Sequence, residues 1–466
     1  MRKTLLRGLI GSLVMLITVL LATVFTEAVG ASVEAVAVSS DSVKLCWISE
    51  KIADGYIIES YENGKWNIRA EITDSKLSAY IVRGLKSGTA YYFRVKYYTV
   101  KNNAKQYYSI GGAIRCITAI PRISGFSGAT GTDSVRLTWR SPGDCDGYEL
   151  QRLSGTKWVT LGKLTPAGKN RITVRKLKSD REYDFRIRAY KSVSSEVIYS
   201  PYSYLTCNTT DKKSIKLFGP NMVYTGESFD YTYCFEGDLN GGIKWSVMGS
   251  SGKIDEKGSF TALKQGNSTI IAADKNGGLR AILNVHCVDS AENVSFLPLV
   301  NGINIANKTY PVPESYDPKG LTIETRKAFE AMRKGALKEG ISLRSISGYR
   351  SYARQVANYK YWKEGYGEYA DSFSAKPGFS EHQLGLAIDV NDMWASFADT
   401  KEGKWLEENC YKYGFILRYP SYGSEISTGY EYEPWHIRYV GKKLAKKLHF
   451  SGSTLEEYLG IDSYYG

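Results

Sequence analysis

The feature that most constrains this chain is an internal repeat in its first half. Ser42-Val43-Lys44-Leu45 with Trp47 returns as Ser134-Val135-Arg136-Leu137 with Trp139, and Asp54-Gly55-Tyr56 as Asp146-Gly147-Tyr148. Lys65-Trp66 matches Lys157-Trp158, Leu85-Lys86-Ser87 matches Leu177-Lys178-Ser179, and Phe93 matches Phe185. A single offset of 92 residues relates every pair, which makes this a duplicated structural unit. Each copy holds short runs alternating with period two, such as Tyr92-Phe93-Arg94-Val95-Lys96-Tyr97, separated by turn residues. That pattern predicts an antiparallel β-sandwich, twice over.

The Trp near the second strand and the Leu-x5-Tyr spacing (Leu85 to Tyr91, Leu177 to Tyr183) resemble fibronectin type III domains over residues 32–120 and 121–210. The resemblance implies a tyrosine hydroxyl that satisfies a backbone group at a strand corner. Neither copy holds a catalytic constellation. Residues 211–289 form a third β module, with Trp245-Ser246-Val247, Gly258-Ser259-Phe260-Thr261-Ala262 and Gly266-Asn267-Ser268-Thr269-Ile270. It looks like a bacterial immunoglobulin-like domain of the second group. Cys234 and Cys287 either pair on facing strands or stay as two buried thiols; sequence leaves both open. Seven cysteines cannot all pair, and no CxxC is present for a zinc knuckle.

Arg2, Lys3 and Arg7 precede an apolar run from Leu9 to Phe25, and Val29-Gly30-Ala31 fits a signal-peptidase site. Residues 1–31 therefore read as a secretory signal, with an uncleaved membrane anchor as the alternative, and the remainder as extracytoplasmic: secreted, cell-wall associated or anchored. No later stretch is long and apolar enough to span a bilayer. The net charge of +13 suits an anionic partner. Because the basic residues are spread out in an exported chain, wall polymers are expected and nucleic acid is not.

The chemistry lies in residues 290–466. After a Pro-rich lead-in, Thr322 to Glu339 reads as a helix with Ala328, Met332 and Leu337 on one stripe. Three strings follow: Ser347-Gly348-Tyr349-Arg350-Ser351 with Gln355; Ser380-Glu381-His382-Gln383-Leu384-Gly385-Leu386-Ala387-Ile388-Asp389; and Glu433-Pro434-Trp435-His436. Catalytic zinc takes three protein ligands and keeps one position open, a count that His382, Asp389 and His436 meet. The chain has only four histidines, and His286 and His449 have no such context. Glu433, three residues before His436 and followed by the rigid Pro434-Trp435, suits a proton carrier near the metal. Arg350 suits a fixed cation for a substrate carboxylate or a developing oxyanion.

These strings resemble VanY-type D-alanyl-D-alanine carboxypeptidases, as do Tyr413-Gly414-Phe415-Ile416-Leu417-Arg418-Tyr419-Pro420, Thr428-Gly429-Tyr430 and Leu455-Glu456-Glu457-Tyr458-Leu459. The resemblance implies the α+β fold shared with the Hedgehog signalling domain and one zinc ion on His382, Asp389 and His436. It further implies Glu433 and Arg350 as catalytic groups, with Tyr349, Gln355 and Ser380 contacting substrate. The expected architecture is thus three all-β sandwich modules followed by an α+β zinc peptidase domain. The expected activity is removal of the terminal D-alanine from peptidoglycan stem peptides. The same fold also serves LD-carboxypeptidases and endopeptidases, and the pocket that separates them is not readable from sequence. A wall-bound adhesion or scaffold protein with a dead peptidase domain is the alternative from another class. Four intact site residues weigh against it.

Overall fold

The computed structural model describes residues 33–164, 170–276, 278–420 and 425–465. The signal or anchor segment proposed for residues 1–31 lies outside these, and no helix among the described residues is long and apolar enough to cross a membrane. The chain divides into two compact units, one ending at Ala119 and one spanning Ile120–Gly466.

The first unit is a two-sheet sandwich. Val33–Ala37, Val43–Trp47 and Ala79–Val82 form one sheet, and Lys65–Ile72, Gly55–Glu62, Ala90–Lys101 and Ala104–Ile117 the other. The alternating residues Val43, Leu45, Trp47, Tyr56, Ile58, Phe93 and Val95 fill the space between them. At the expected corner, the Lys86 backbone N–H donates to the Tyr91 hydroxyl at 2.8 Å. The second copy repeats this with Lys178 and Tyr183, also at 2.8 Å. The duplication is therefore structural as well as textual.

In the second unit the β region is not a string of separate beads. The sheet Arg171–Val174, Val135–Arg140, Ser124–Thr130 continues without a break into Thr232–Glu236 and Ser214–Phe218, which follow the duplicated sandwich in sequence. The junction is parallel, with Cys234 opposite Gly128 and Phe235 opposite Ala129. Gly128 matters here, because a Cβ at that position would stand 2.8 Å from Cys207 Sγ. Cys234 accordingly lies in the core of the second sandwich, with Trp139, Tyr148 and Phe185. Cys287 belongs to a different core, with Tyr231, Phe260 and Ile270. All seven cysteines are free thiols, so the Cys234–Cys287 pairing is not made.

The second sandwich also docks on the C-terminal α+β domain. That domain's helices are α1 (Ile323–Lys338), α2 (Tyr352–Tyr366), α3 (Lys401–Asn409), α4 (Glu425–Thr428), α5 (Lys442–Ser451) and α6 (Leu455–Leu459). Lys447 of α5 pairs with Asp184 and Glu182, Lys443 with Glu182, and the Tyr204 and Tyr458 rings meet at 5.1 Å. Lys447 and Asp184 are largely withdrawn from water, so truncating one strands the other. Asp184→Ala is expected to destabilise the second unit by about 1–3 kcal/mol, read as a lower urea midpoint at unchanged slope.

Helix α1 is capped by Thr322, whose hydroxyl accepts from the Thr325 N–H. Its buried face runs through Thr325, Phe329, Met332 and Ala336, a spacing of four, three and four. Ala328 borders this face, but Leu337, expected on the stripe, is 68 % exposed, one step round the helix from Ala336. The face packs on a four-stranded antiparallel sheet ordered Ser345–Ser347, Ala387–Val390, Glu433–Tyr439, Phe415–Tyr419. Ile388, Val390, Phe415 and Ile437 close this core from the sheet side.

Candidate active site

The sheet brings the three sequence strings together. Asp389 lies on one central strand directly opposite His436 on the next, and Ser347 faces Asp389 from the edge strand. His382 comes from a single 3₁₀ turn, Glu381–Leu384, that leads into the Asp389 strand. Ser380 caps that turn, its hydroxyl accepting from the His382 N–H at 3.3 Å. Gly385 ends the turn at a φ of 70°, and a Cβ there would stand 2.5 Å from Gly320 O. The glycine in His-x-x-Gly is thus required by both backbone angle and space.

Residues three apart on a regular strand point to opposite faces. The side chains of Glu433 and His436 nonetheless meet, and the ladder is irregular between them: Tyr419 pairs with Glu433, while Leu417 pairs with Ile437. The offset amounts to two extra residues on the Glu433–Tyr439 strand, and the Glu433 carboxylate lies 3.3 Å from His436 Nδ1.

His382, Asp389 and His436 each offer one ligand atom within 4.8 Å of the others, all buried. His382 Nδ1 is taken by the Gly348 carbonyl at 2.6 Å, which leaves Nε2, 3.3 Å from Asp389 Oδ2. His436 Nδ1 stands 3.2 Å from Asp389 Oδ1, yet that oxygen is buried without a hydrogen bond. Three such atoms this close, with Asp389 Oδ1 left without a hydrogen bond, fit a divalent metal with two nitrogen ligands and one oxygen. Burial disfavours ionised Asp389, but the two imidazoles outweigh it and hold the carboxyl well below its usual range. Burial pushes the Glu433 carboxyl up, with His436 pulling the other way. The two neighbouring carboxyls are thus pushed in opposite directions.

Arg350 approaches Asp389 at 3.8 Å and is braced by Gln355 Oε1 at 2.9 Å and Ser347 Oγ at 3.2 Å. Gln355, expected to touch substrate, is 1 % exposed and spends its amide N–H on the Ala375 carbonyl at 2.6 Å. Both ends of its side chain serve the protein, so its place is to hold Arg350. Ser380, likewise expected as a substrate contact, is buried as the cap of the His382 turn. Tyr349 remains at the lip, its hydroxyl donating to Asp317 at 2.5 Å. Because the brace matches the planar fork of Arg350, Arg350→Lys should behave nearly as badly as Arg350→Ala. Either change is expected to lower kcat by about 10²–10³-fold, read in steady-state assays.

Sequence reasoning passed over a buried charge cluster behind the site. Arg418 and Arg438 both pair with Glu381 Oε1 at 2.8 Å, and Arg418 reaches Glu456 as well. All four residues lay inside the matched strings or beside them, but nothing in their spacing showed that they meet.

Two histidines, one on a 3₁₀ turn and one on the sheet, and a strand aspartate, with a carboxylate and a braced arginine alongside, define a metallopeptidase site on an α+β scaffold. The comparisons agree. The VanY family of D-alanyl-D-alanine carboxypeptidases matches over residues 318–442, and the fibronectin type III domain over 121–204. The putative carboxypeptidase YodJ of Bacillus subtilis is 42% identical over 183 residues, 34% of this chain and 67% of that protein. A D-alanyl-D-alanine carboxypeptidase of Enterococcus faecalis is 37% identical, covering 34% of this chain and 65% of its own length. The bifunctional D-Ala-D-Ala dipeptidase and carboxypeptidase VanXYC of Enterococcus gallinarum is 35% identical, with 94% of it covered. Among solved structures, an L,D-carboxypeptidase DacB from Streptococcus pneumoniae is similar at 37% identity, covering 37% of this chain and 96% of that one, with a TM-score of 0.34. The chain belongs to the VanY D-alanyl-D-alanine carboxypeptidase family, and it is a zinc peptidase with a fibronectin type III domain ahead of its catalytic domain.

Proposed function

We propose that this chain removes the terminal D-alanine from peptidoglycan stem peptides, with His382, Asp389 and His436 holding its zinc. The observation that carries this reading is the convergence of those three buried ligand atoms beside Glu433 and Arg350. Zinc bound there supplies a Lewis acid for the scissile carbonyl and lowers the pKa of water toward about 7. Glu433, buried and biased toward holding a proton, takes one from the attacking water and hands it to the departing amine. Arg350, fixed by Gln355 and Ser347, meets the charge that develops on the carbonyl oxygen or the terminal carboxylate of the substrate. Tyr349 at the lip is the side chain we place nearest the peptide.

The chain is read as extracytoplasmic, with residues 211–289 as an immunoglobulin-like sandwich and the β region as a spacer or a wall-binding element. The basic balance of the sequence supports residence among anionic wall polymers. A second reading within the class is favoured by the similarity to an L,D-carboxypeptidase. The test is D-alanine release from two muropeptides, one ending in D-Ala-D-Ala and one a tetrapeptide ending in a single D-Ala, with and without chelator. Chelator-sensitive release from the first alone establishes DD-carboxypeptidase activity. Release from the second alone establishes the LD reading. Release from neither by zinc-loaded protein overturns both.

A further inference from the structure

We propose that Glu381 is the positioning residue for His436, fixing which ring nitrogen of that histidine faces the metal. This rests on the zinc reading above. His436 Nδ1 is the nitrogen among the ligand set, 3.2 Å from Asp389 and 3.3 Å from Glu433. Its Nε2 therefore points away, into the protein, where it is buried and makes no hydrogen bond. The carboxylate oxygen facing it is Glu381 Oε2 at 3.9 Å, itself buried and unpartnered. A buried polar atom left unmade is expensive, and two such atoms facing each other form one incomplete interaction.

The two oxygens of Glu381 have separate tasks. Oε1 takes both arginines, Arg418 and Arg438, at 2.8 Å each, which pins the carboxylate from behind. Oε2 is left over, aimed at the histidine. Glu456 completes the neutralisation by pairing with Arg418, so two buried cations meet two buried anions. A neutral imidazole that offers its Nδ1 lone pair to a cation must carry its proton on Nε2. An ionised carboxylate on that side holds the ring in this tautomer and raises the basicity of the ligating nitrogen. His382 reaches the same end by a different partner, the Gly348 carbonyl on its Nδ1.

The test uses the full chain with zinc as the only added probe. In histidine-¹⁵N-labelled, zinc-loaded protein, long-range ¹H–¹⁵N correlation should place the His436 proton on Nε2, slow to exchange. A proton on Nδ1, or none protected from solvent, overturns the proposal without any substitution. In chelator competition, Glu381→Gln should weaken zinc binding about 10- to 100-fold, whereas Glu456→Gln should stay within about twofold. Glu456→Gln disturbs the same arginine without touching His436, so equal losses would reduce Glu381 to a charge partner of the arginines and sink the idea. Failure of the unaltered protein to bind zinc would instead overturn the metal reading itself.

Discussion

Glu433→Gln is expected to keep one zinc per chain and lose about 10²–10⁴-fold in kcat, the range spanned by a positioned general base. The amide keeps the shape of the side chain and cannot take a proton. Because Glu433 stands 3.3 Å from His436 but is not among the three convergent ligand atoms, metal content should not change. Metal analysis and D-alanine release on one preparation check both halves. Substantial turnover with zinc bound would remove Glu433 from proton transfer. Loss of the metal would make it a ligand.

His382→Ala should have the opposite signature. The substitution takes away one of three ligand atoms and leaves the Gly348 carbonyl without its partner. Zinc content should fall from about one per chain toward zero after dialysis against a weak chelator, and activity with it. The sheet rests on Ile388, Val390, Phe415 and Ile437 and not on this side chain, so far-UV circular dichroism should be unaltered. A protein that retains its zinc would refute the ligand assignment. One that unfolds would show that the metal contributes to folding of the domain.

The convergence of the candidate ligands His382, Asp389 and His436 was legible in the sequence because metal chemistry demands particular side chains, and here they sit in short strings that a chain with four histidines can hardly hide. The β-sandwich was legible from its period and its duplication. What the sequence did not show is where backbones slip and where amides point. Glu433 meets His436 beside an irregular stretch of the Glu433–Tyr439 strand, and that irregularity has no compositional mark. The family resemblance implies a substrate contact at Gln355, but nothing in the sequence sets the direction of its amide; the fold turns it onto Arg350 and the Ala375 carbonyl. The stripe read through Ala328, Met332 and Leu337 is one step out of phase: the buried face set by Phe329, Met332 and Ala336 leaves Leu337 outside. Of the two readings open for Cys234 and Cys287, the structure shows the buried thiols, for a topological reason: a parallel ladder carries Cys234 into the neighbouring sandwich.

That ladder has a bearing on how the protein can be cut. A fragment ending near residue 210 would leave Ser124–Thr130 as an open edge, stripped of the Thr232–Glu236 strand that covers it. Bare edges are templates for another chain. Such a fragment should self-associate, and its Cys207 thiol would lose the Cys234 neighbour that now packs in the same core. Expression boundaries drawn between modules by sequence similarity alone would therefore fall inside a cooperative unit, and the insoluble product would be blamed on the wrong part of the molecule.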